Sequence, residues 1–192
     1  MIQTHPNLIQ GSEEWHAARC GLLTASEMHL IITTTGKTAS NDKERAHVYE
    51  LAAQRISRYV EPSYIGDNML RGHEDEVHAR ILYEKHYGAV SDMGFITNDR
   101  WGFTLGCSPD GLVGDDGMIE CKSRRQKFQI ETIAKQDVPA EHVIQVQTAL
   151  LVTERKWCDF VSYSGGLPMF VLRVYPDDKI QAAIVKAVTA CE

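Results

Sequence analysis

The chain has 192 residues, with a hydrophobic content of 43% and a charged content of 24%, and these values are typical of one soluble globular domain. No apolar run approaches ~20 residues, so we expect no membrane-spanning helix. The first residues lack a basic segment followed by an apolar one, so we expect no secretion signal. The net charge of −6 argues against a broadly basic, nucleic-acid-binding exterior.

The five cysteines are odd in number and widely spaced, and no Cys-x-x-Cys pair is present. This spacing argues against a zinc ribbon and against a disulfide framework. It favours a reducing compartment, and we therefore expect a cytoplasmic protein.

The first half of the chain is predicted to be mainly helical. Residues 12–20 form a short helix with Ser12 as its N-cap. An extended segment at residues 22–24 follows, and Ser26 is the predicted N-cap of a second helix that runs to about Ile32.

Two longer helices are predicted from capping and apolar spacing. Asn41 and Glu44 form a capping-box-like start for the third helix, and the fourth covers residues 67–86. The apolar residues at helical spacing in the third helix are Tyr49, Ala52, Ala53, Ile56 and Tyr59. The inner stripe predicted for the fourth helix is Leu70, His73, Val77 and Ile81.

The second half of the chain alternates strands and helices. Strands are predicted at residues 90–97, 101–107, 157–163 and 169–175, with a β-hairpin around residues 112–119. Helices are predicted at residues 126–135, from 139 to about 151, and at 177–189. This order predicts a single α/β (α+β) domain over residues 1–192, with a central mixed sheet flanked by helices.

The hairpin carries the residues that point to chemistry. Glu120 and Lys122 alternate onto one face of its second strand, and Asp110 lies ten residues upstream of Glu120 on the partner strand. Two carboxylates supply hard oxygen ligands for Mg²⁺, and a lysine can stabilise charge that grows on a phosphate. The pattern is that of the PD-(D/E)xK nucleases. The alternative is a solvated strand face beside a Pro-Asp-Gly turn, which is common for so short a motif.

The register of this hairpin decides whether the two carboxylates meet. A four-residue turn pairs Val113 with Met118 and puts Asp110 opposite Cys121, on the wrong face. A bulge at Gly111 or a shifted register is therefore required to bring Asp110 beside Glu120.

Four stretches in the same order and spacing resemble the lambda-type exonucleases, also called YqaJ-like viral recombinases. They cover roughly residues 12–150, and together they are far more specific than any one of them. The stretches are Trp15-x-x-x-Arg19-x-Gly21-x-x-Thr24-Ala25-Ser26, Gly72-x-x-x-Glu76, Ser108-Pro109-Asp110 with Glu120-Cys121-Lys122, and Gln145-Val146-Gln147.

The resemblance implies a role for each matching residue and a restriction-endonuclease-like core. Asp110, Glu120, the backbone carbonyl of Cys121 and Glu76 are the implied metal ligands, and Lys122 is the implied catalytic lysine. The implied cofactor is Mg²⁺, as two ions, with Mn²⁺ as a substitute. The residues implied to hold the DNA end and its 5′-phosphate are Trp15, Arg19, Thr24, Ser26, Ser108 and Gln145.

Structural alternatives exist for most of these residues. Glu76 can pair with Arg80 one helical turn later, and Ser26 can be only a helix cap. Arg19 can be a partner of its own helix end. Ser108 can be a turn residue, Gln145 a solvated helix position and Trp15 a core residue.

The resemblance implies a 5′→3′ exonuclease that degrades double-stranded DNA with 5′-phosphorylated ends. It would release 5′-mononucleotides and leave 3′ overhangs for phage or prophage recombination in the bacterial cytoplasm. A ring-shaped homotrimer and a single-strand annealing protein are the implied partners. An endonuclease of the same fold, or a catalytically silent protein that binds DNA ends or a partner, is the alternative.

One departure from the family pattern follows the catalytic lysine. The chain continues Ser123-Arg124-Arg125 where the family has Cys-Pro, so the resemblance assigns no role to residues 123–135. Lys122, Arg124, Arg125 and Lys127 lie close together, and we expect the basic groups to be concentrated in a groove.

Overall fold

The computed structural model describes residues 1–62 and 67–192, and the side chains of these residues except 67–70 and 73. Within these limits the helices are α1 (Glu13–Arg19), α2 (Asp42–Ser57), α3 (Asp67–His86), α4 (Gln126–Lys135), α5 (Ala140–Thr153) and α6 (Asp178–Cys191), with a 3₁₀ turn at Met28–Leu30. The strands are β1 (Ile2–His5), β2 (Leu23–Thr24), β3 (Phe95–Asn98), β4 (Leu105–Cys107), β5 (Gly111–Val113), β6 (Gly117–Ser123), β7 (Trp157–Tyr163) and β8 (Phe170–Val174).

The strands form two four-stranded mixed sheets, in the orders β1-β3-β4-β2 and β5-β6-β7-β8. The predicted α/β class with flanking helices is confirmed, but the strands are divided between two sheets where one was expected. The division falls at residues 108–110, which include Pro109. Proline has no amide hydrogen to continue a strand ladder, and the next strand, β5, pairs with β6.

Strand β6 is covered on both of its faces. On one face α3 supplies Ala79 and Tyr83, which pack with Ile119, Cys121 and Val161 in a small core. On the other face α5 belongs to the larger core, with Ile144, Val146, Ala149, Leu150 and Val152 buried. The predicted alternation along β6 is therefore a division between two packed layers.

The predicted bounds of α3, α4 and β7 are confirmed, and so are two helix caps. Ser12 Oγ accepts a hydrogen bond from the Trp15 amide at the start of α1, and Asn41 Oδ1 accepts from two amides at the start of α2. The helix predicted from Ser26 to Ile32 is wrong in length and cap. Only a 3₁₀ turn forms there, and Glu27 precedes it.

The predicted apolar stripes of α2 and α3 are wrong where the structure describes them. Tyr49, Ile56 and Tyr59 are exposed, as are Val77 and Ile81, whereas His47, Leu51, Ala79 and Tyr83 are buried. The side chains of Leu70 and His73 lie outside the described residues. Helical spacing identified an apolar face, but the core contacts a different face of each helix.

The strands predicted at 90–97 and 101–107 are shorter in the structure, at Phe95–Asn98 and Leu105–Cys107, although Ser91 also forms an isolated bridge with Leu112 of β5. Among the helices of residues 1–62 and 67–192, none is long and apolar enough to cross a bilayer.

Candidate active site

The turn between β5 and β6 has three residues, and this length sets the register that the site needs. Val113 pairs with Gly117 and Gly111 with Ile119, so the next position along places Asp110 opposite Glu120. Gly114 begins the turn in the left-handed region, with φ of 53°. The shifted register is therefore the solution that the chain adopts.

Asp110 is fixed against β6 by the backbone. Its Oδ2 accepts a hydrogen bond of 2.6 Å from the amide of Cys121. The Cys121 side chain is fully buried in the small core under α3, where it acts as a small hydrophobic group. The Cys121 residue thus anchors Asp110 with its amide while its neighbours in sequence face the opposite layer.

Glu120 and Lys122 form the second part of the site. Glu120 is 3% exposed, and its Oε1 accepts from Lys122 Nζ at 2.6 Å and from Gln145 Nε2 at 2.5 Å. A buried carboxylate therefore has both a charged and a neutral donor. Gln145 lies beside this carboxylate and is half-buried in the structure.

Negative charges outnumber positive charges at this site. Burial raises the pKa of Asp110 well above its usual range, and the nearby carboxylates of Glu120 and Glu76 raise it further, against the opposing effect of Lys122. Burial by itself lowers the pKa of Lys122, but Glu120 and Asp110 outweigh it, and the pKa is raised overall. Lys122 is therefore an ammonium ion at neutral pH.

A divalent cation fits the donors of this site. Asp110 Oδ1 and Glu120 Oε2 make no hydrogen bond among the described residues. Both are carboxylate oxygens, which are hard ligands, so they can bind a cation. No group of three acidic, histidine or cysteine side chains among the described residues forms a fuller metal cage. Magnesium accepts such an open site, because it commonly uses one or two carboxylates and completes its shell with water and phosphate oxygens.

Asp110 opens onto a cleft of about 510 Å³. Glu76 and Arg80 of α3 line this cleft, together with residues 6–10 of the N-terminal segment. Arg80 Nη2 donates to the Val90 carbonyl at 2.8 Å, and Nη1 pairs with Asp92 at 2.6 Å. The sequence interpretation considered Arg80 only as a partner for Glu76, and its bonds to the chain before β3 depend on the fold.

A second cluster surrounds Arg19. The Arg19 guanidinium lies 4.2 Å from the centre of the Trp15 ring, and its Nη2 donates to Thr24 Oγ1 at 3.0 Å and to Ser26 Oγ at 3.3 Å. The Arg19 side chain is only 14% exposed, with Glu27 at 3.7 Å. The cluster is an arginine fork held by an aromatic ring and two hydroxyls.

The two clusters are joined by one hydrogen bond. Trp15 Nε1 donates to Ser108 Oγ at 2.9 Å, and Ser108 is two residues before Asp110. Five of the six residues predicted to hold a DNA end therefore meet: Trp15, Arg19, Thr24, Ser26 and Ser108. The sixth, Gln145, contacts the Glu120 carboxylate.

Comparison with known proteins identifies the family. The model of the YqaJ-like viral recombinase domain matches residues 14–156, which include both clusters. The chain belongs to the YqaJ-like viral recombinase family. None of the curated proteins matches it.

Solved structures agree with this assignment. The YqaJ-like chain is 37% identical to the alkaline exonuclease LHK-Exo from Laribacter hongkongensis, with a TM-score of 0.82 over 94% of this chain and 90% of that one. To LHK-Exo in complex with dAMP the chain is 38% identical, with a TM-score of 0.83 over 94% of this chain and 90% of that one. A phage-related exonuclease from Haemophilus somnus 129PT is 15% identical, with a TM-score of 0.62 over 88% and 91%, and shares the fold. Family and structural likeness support a DNA exonuclease.

Because the pKa of Asp110 is raised, ionisation of this carboxyl is expected to lower the free energy of unfolding of the metal-free YqaJ-like protein. The unfolded chain releases the Asp110 proton near pH 3.9 and the folded chain only at higher pH, so metal-free stability is greatest below that pH and falls as pH rises through the folded pKa. Asp110→Asn keeps an acceptor for the Cys121 amide and carries no charge. We expect the variant to be more stable than the parent at pH 8 and to lack this slope.

Urea unfolding in a chelator between pH 4 and pH 8 measures both effects. Addition of Mg²⁺ is expected to stabilise the parent and not the variant, since only the parent keeps the full ligand charge. A variant that is less stable than the parent at pH 8 would contradict the assigned repulsion.

Proposed function

We propose that this protein is a Mg²⁺-dependent 5′→3′ exonuclease of double-stranded DNA, which releases 5′-mononucleotides and leaves 3′ single strands. The observation that carries the proposal is the tie between the two clusters. The Arg19 guanidinium, a group that suits an anion, is linked to the carboxylate pair through Trp15 and Ser108. A pocket for a terminal phosphate beside a hydrolytic site suits an enzyme that acts on DNA ends.

Asp110, Glu120 and the Cys121 carbonyl would hold the metal ion, with Glu76 beside them. When bound, Mg²⁺ polarises a phosphate and lowers the pKa of a water molecule. Lys122 presents its ammonium group at Glu120, where it can stabilise negative charge that grows on the phosphate. Arg19, Thr24 and Ser26 would bind the 5′-phosphate and so fix which bond is cut.

Support for mononucleotide release comes from the relative LHK-Exo, one structure of which is in complex with dAMP. A deoxynucleoside monophosphate is the product that stepwise hydrolysis from a 5′ end would give. If one mononucleotide is released in each cycle, the DNA strand whose 5′ end is held at the Arg19 cluster would advance by one nucleotide.

A ring-shaped homotrimer in the bacterial cytoplasm, working with a single-strand annealing protein in phage recombination, completes the proposal. The exposed apolar side chains of α2 and α3, such as Tyr49, Ile56, Val77 and Ile81, are available for subunit contacts. A closed ring would also retain DNA without a basic exterior, which agrees with the net charge of −6.

Digestion of linear duplex, labelled at its 5′ or 3′ end, tests the proposal. With Mg²⁺ we expect labelled mononucleotide from the 5′ label at once, 3′ strands that persist, and a closed circle that stays intact. Cleavage of the circle would indicate an endonuclease instead. Binding of linear DNA with no cleavage in Mg²⁺ or Mn²⁺ would indicate a silent end-binding protein.

A further inference from the structure

Helix α5 contacts alternate residues of β6 and of its continuation. Gln145 donates to Glu120, whereas Glu141 and His142, one turn earlier, accept from Arg124 Nη1 at 2.8 Å and 3.0 Å. The Arg124 amide donates to the Tyr163 carbonyl at 2.7 Å, so the pairing of β6 with β7 extends one residue beyond the strand. Glu120, Lys122 and Arg124 therefore face the same layer.

The bond between Arg124 and His142 fixes the state of the histidine. A guanidinium can only donate, so His142 Nε2 must be the unprotonated nitrogen and the ring must be neutral. Burial lowers the pKa of His142 to about 4, and the cations Lys122 and Arg124 add to the effect. The ring also stacks on Phe160, with 5.6 Å between centroids. His142 is thus a rigid neutral acceptor beside Arg124.

Arg124 remains incompletely partnered. Its side chain is 11% exposed, and its Nε is buried and has no hydrogen-bond partner. Among the residues described by the structure, only Nη1 of this guanidinium is bonded, and its one carboxylate partner, Glu141, is 61% exposed. A buried donor without a partner is costly, and Nη2, which also has no hydrogen bond among the described residues, is the donor left open for a phosphate oxygen.

The position of Arg124 indicates which phosphate. Strands rise about 3.3 Å per residue, so Lys122 and Arg124 lie roughly 6–7 Å apart along one face. That spacing is comparable with the distance between successive phosphates of one DNA strand. A strand whose scissile phosphate lies at Lys122 can therefore place a neighbouring phosphate at Arg124.

We propose that Arg124 binds the backbone phosphate next to the scissile one, and that His142 is the positioning residue that orients its guanidinium. This inference rests on the proposed nuclease function and names a contact that the family motif does not supply. The contact is to the phosphodiester backbone and is independent of base sequence.

The test compares Arg124→Ala with Lys179→Ala, which removes an equal charge from an exposed side chain of α6. Binding to linear duplex is measured over a range of salt with Ca²⁺ in place of Mg²⁺, and KM and kcat are measured with Mg²⁺. Arg124→Ala is expected to raise Kd and KM at least about tenfold and to reduce the salt slope by about 1. Lys179→Ala is expected to leave Kd, KM and the salt slope close to those of the parent. Equal effects of the two variants would overturn the proposal.

Variants of His142 separate positioning from packing. His142→Phe keeps a ring on Phe160 but has no acceptor, and we expect it to raise KM as Arg124→Ala does. His142→Gln keeps an acceptor, and we expect it to restore most of the parent KM. Equal KM values for these two variants would overturn the positioning role.

Two further outcomes are assigned in advance. If Arg124→Ala does not fold by circular dichroism, Arg124→Lys replaces it. A KM equal to that of the parent would then overturn the proposal, since the single Nζ of lysine cannot occupy both the Nη1 position at Glu141 and the Nη2 position at the phosphate. If the parent protein does not cleave DNA, the proposed function fails. The salt slopes in Ca²⁺ still decide whether Arg124 binds phosphate.

Discussion

Lys122→Met is expected to lower kcat for linear duplex by at least about 10²–10³-fold while the protein still folds and binds DNA. The Lys122 ammonium is 2.6 Å from Glu120, and its pKa is raised, so the group is charged throughout the pH range of the assay. Methionine keeps most of the length and the apolar stem of the side chain. The decrease in kcat therefore measures the contribution of the positive charge of Lys122.

Single-turnover digestion measures the effect, and calorimetric titration with Mn²⁺ checks the metal site. Because Lys122 repels cations, the variant is expected to bind Mn²⁺ at least as tightly as the parent. Lys186→Met, an exposed lysine of α6, is the matched control and should leave kcat unchanged. A Lys122→Met variant with parental kcat would refute the assigned role.

Arg19→Lys is expected to slow digestion of 5′-phosphorylated ends by about 10–100-fold, and that of 5′-hydroxyl ends much less. Lysine keeps the charge at this site but loses the planar fork that Thr24 and Ser26 orient under the Trp15 ring. The loss should therefore depend on the terminal phosphate.

The measurement is the initial rate on two duplexes that differ only in their 5′ ends. Arg45→Lys, at an exposed position on α2, is the control and should not change the ratio of the two rates. If Arg19→Lys slows both substrates equally, Arg19 is a structural residue.

Local signals predicted much of this structure. The Asn41 cap gave the start of α2, because the groups that satisfy a helix end lie within a few residues of it. The short motif gave Asp110, Glu120 and Lys122. The choice between a three- and a four-residue turn at residues 114–117 was open, because both lengths are compatible with those glycines and aspartates.

Long-range contacts account for what the sequence could not predict. The exposed stripes of α2 and α3 differ from core faces only in what packs against them. Similarly, Arg124 and His142 are 18 positions apart, and only the docking of α5 on β6 brings them together. The partner of Gln145 depends on the same docking.

Surface turns usually tolerate inserted or deleted residues, since few contacts cross them. The turn at residues 114–116 is a different case, because its length decides on which side of the second sheet the Asp110 carboxylate stands. One added residue would keep both carboxylates in the polypeptide yet place Asp110 and Glu120 on opposite sides of that sheet. The length of this turn is therefore part of the geometry that the two carboxylates require.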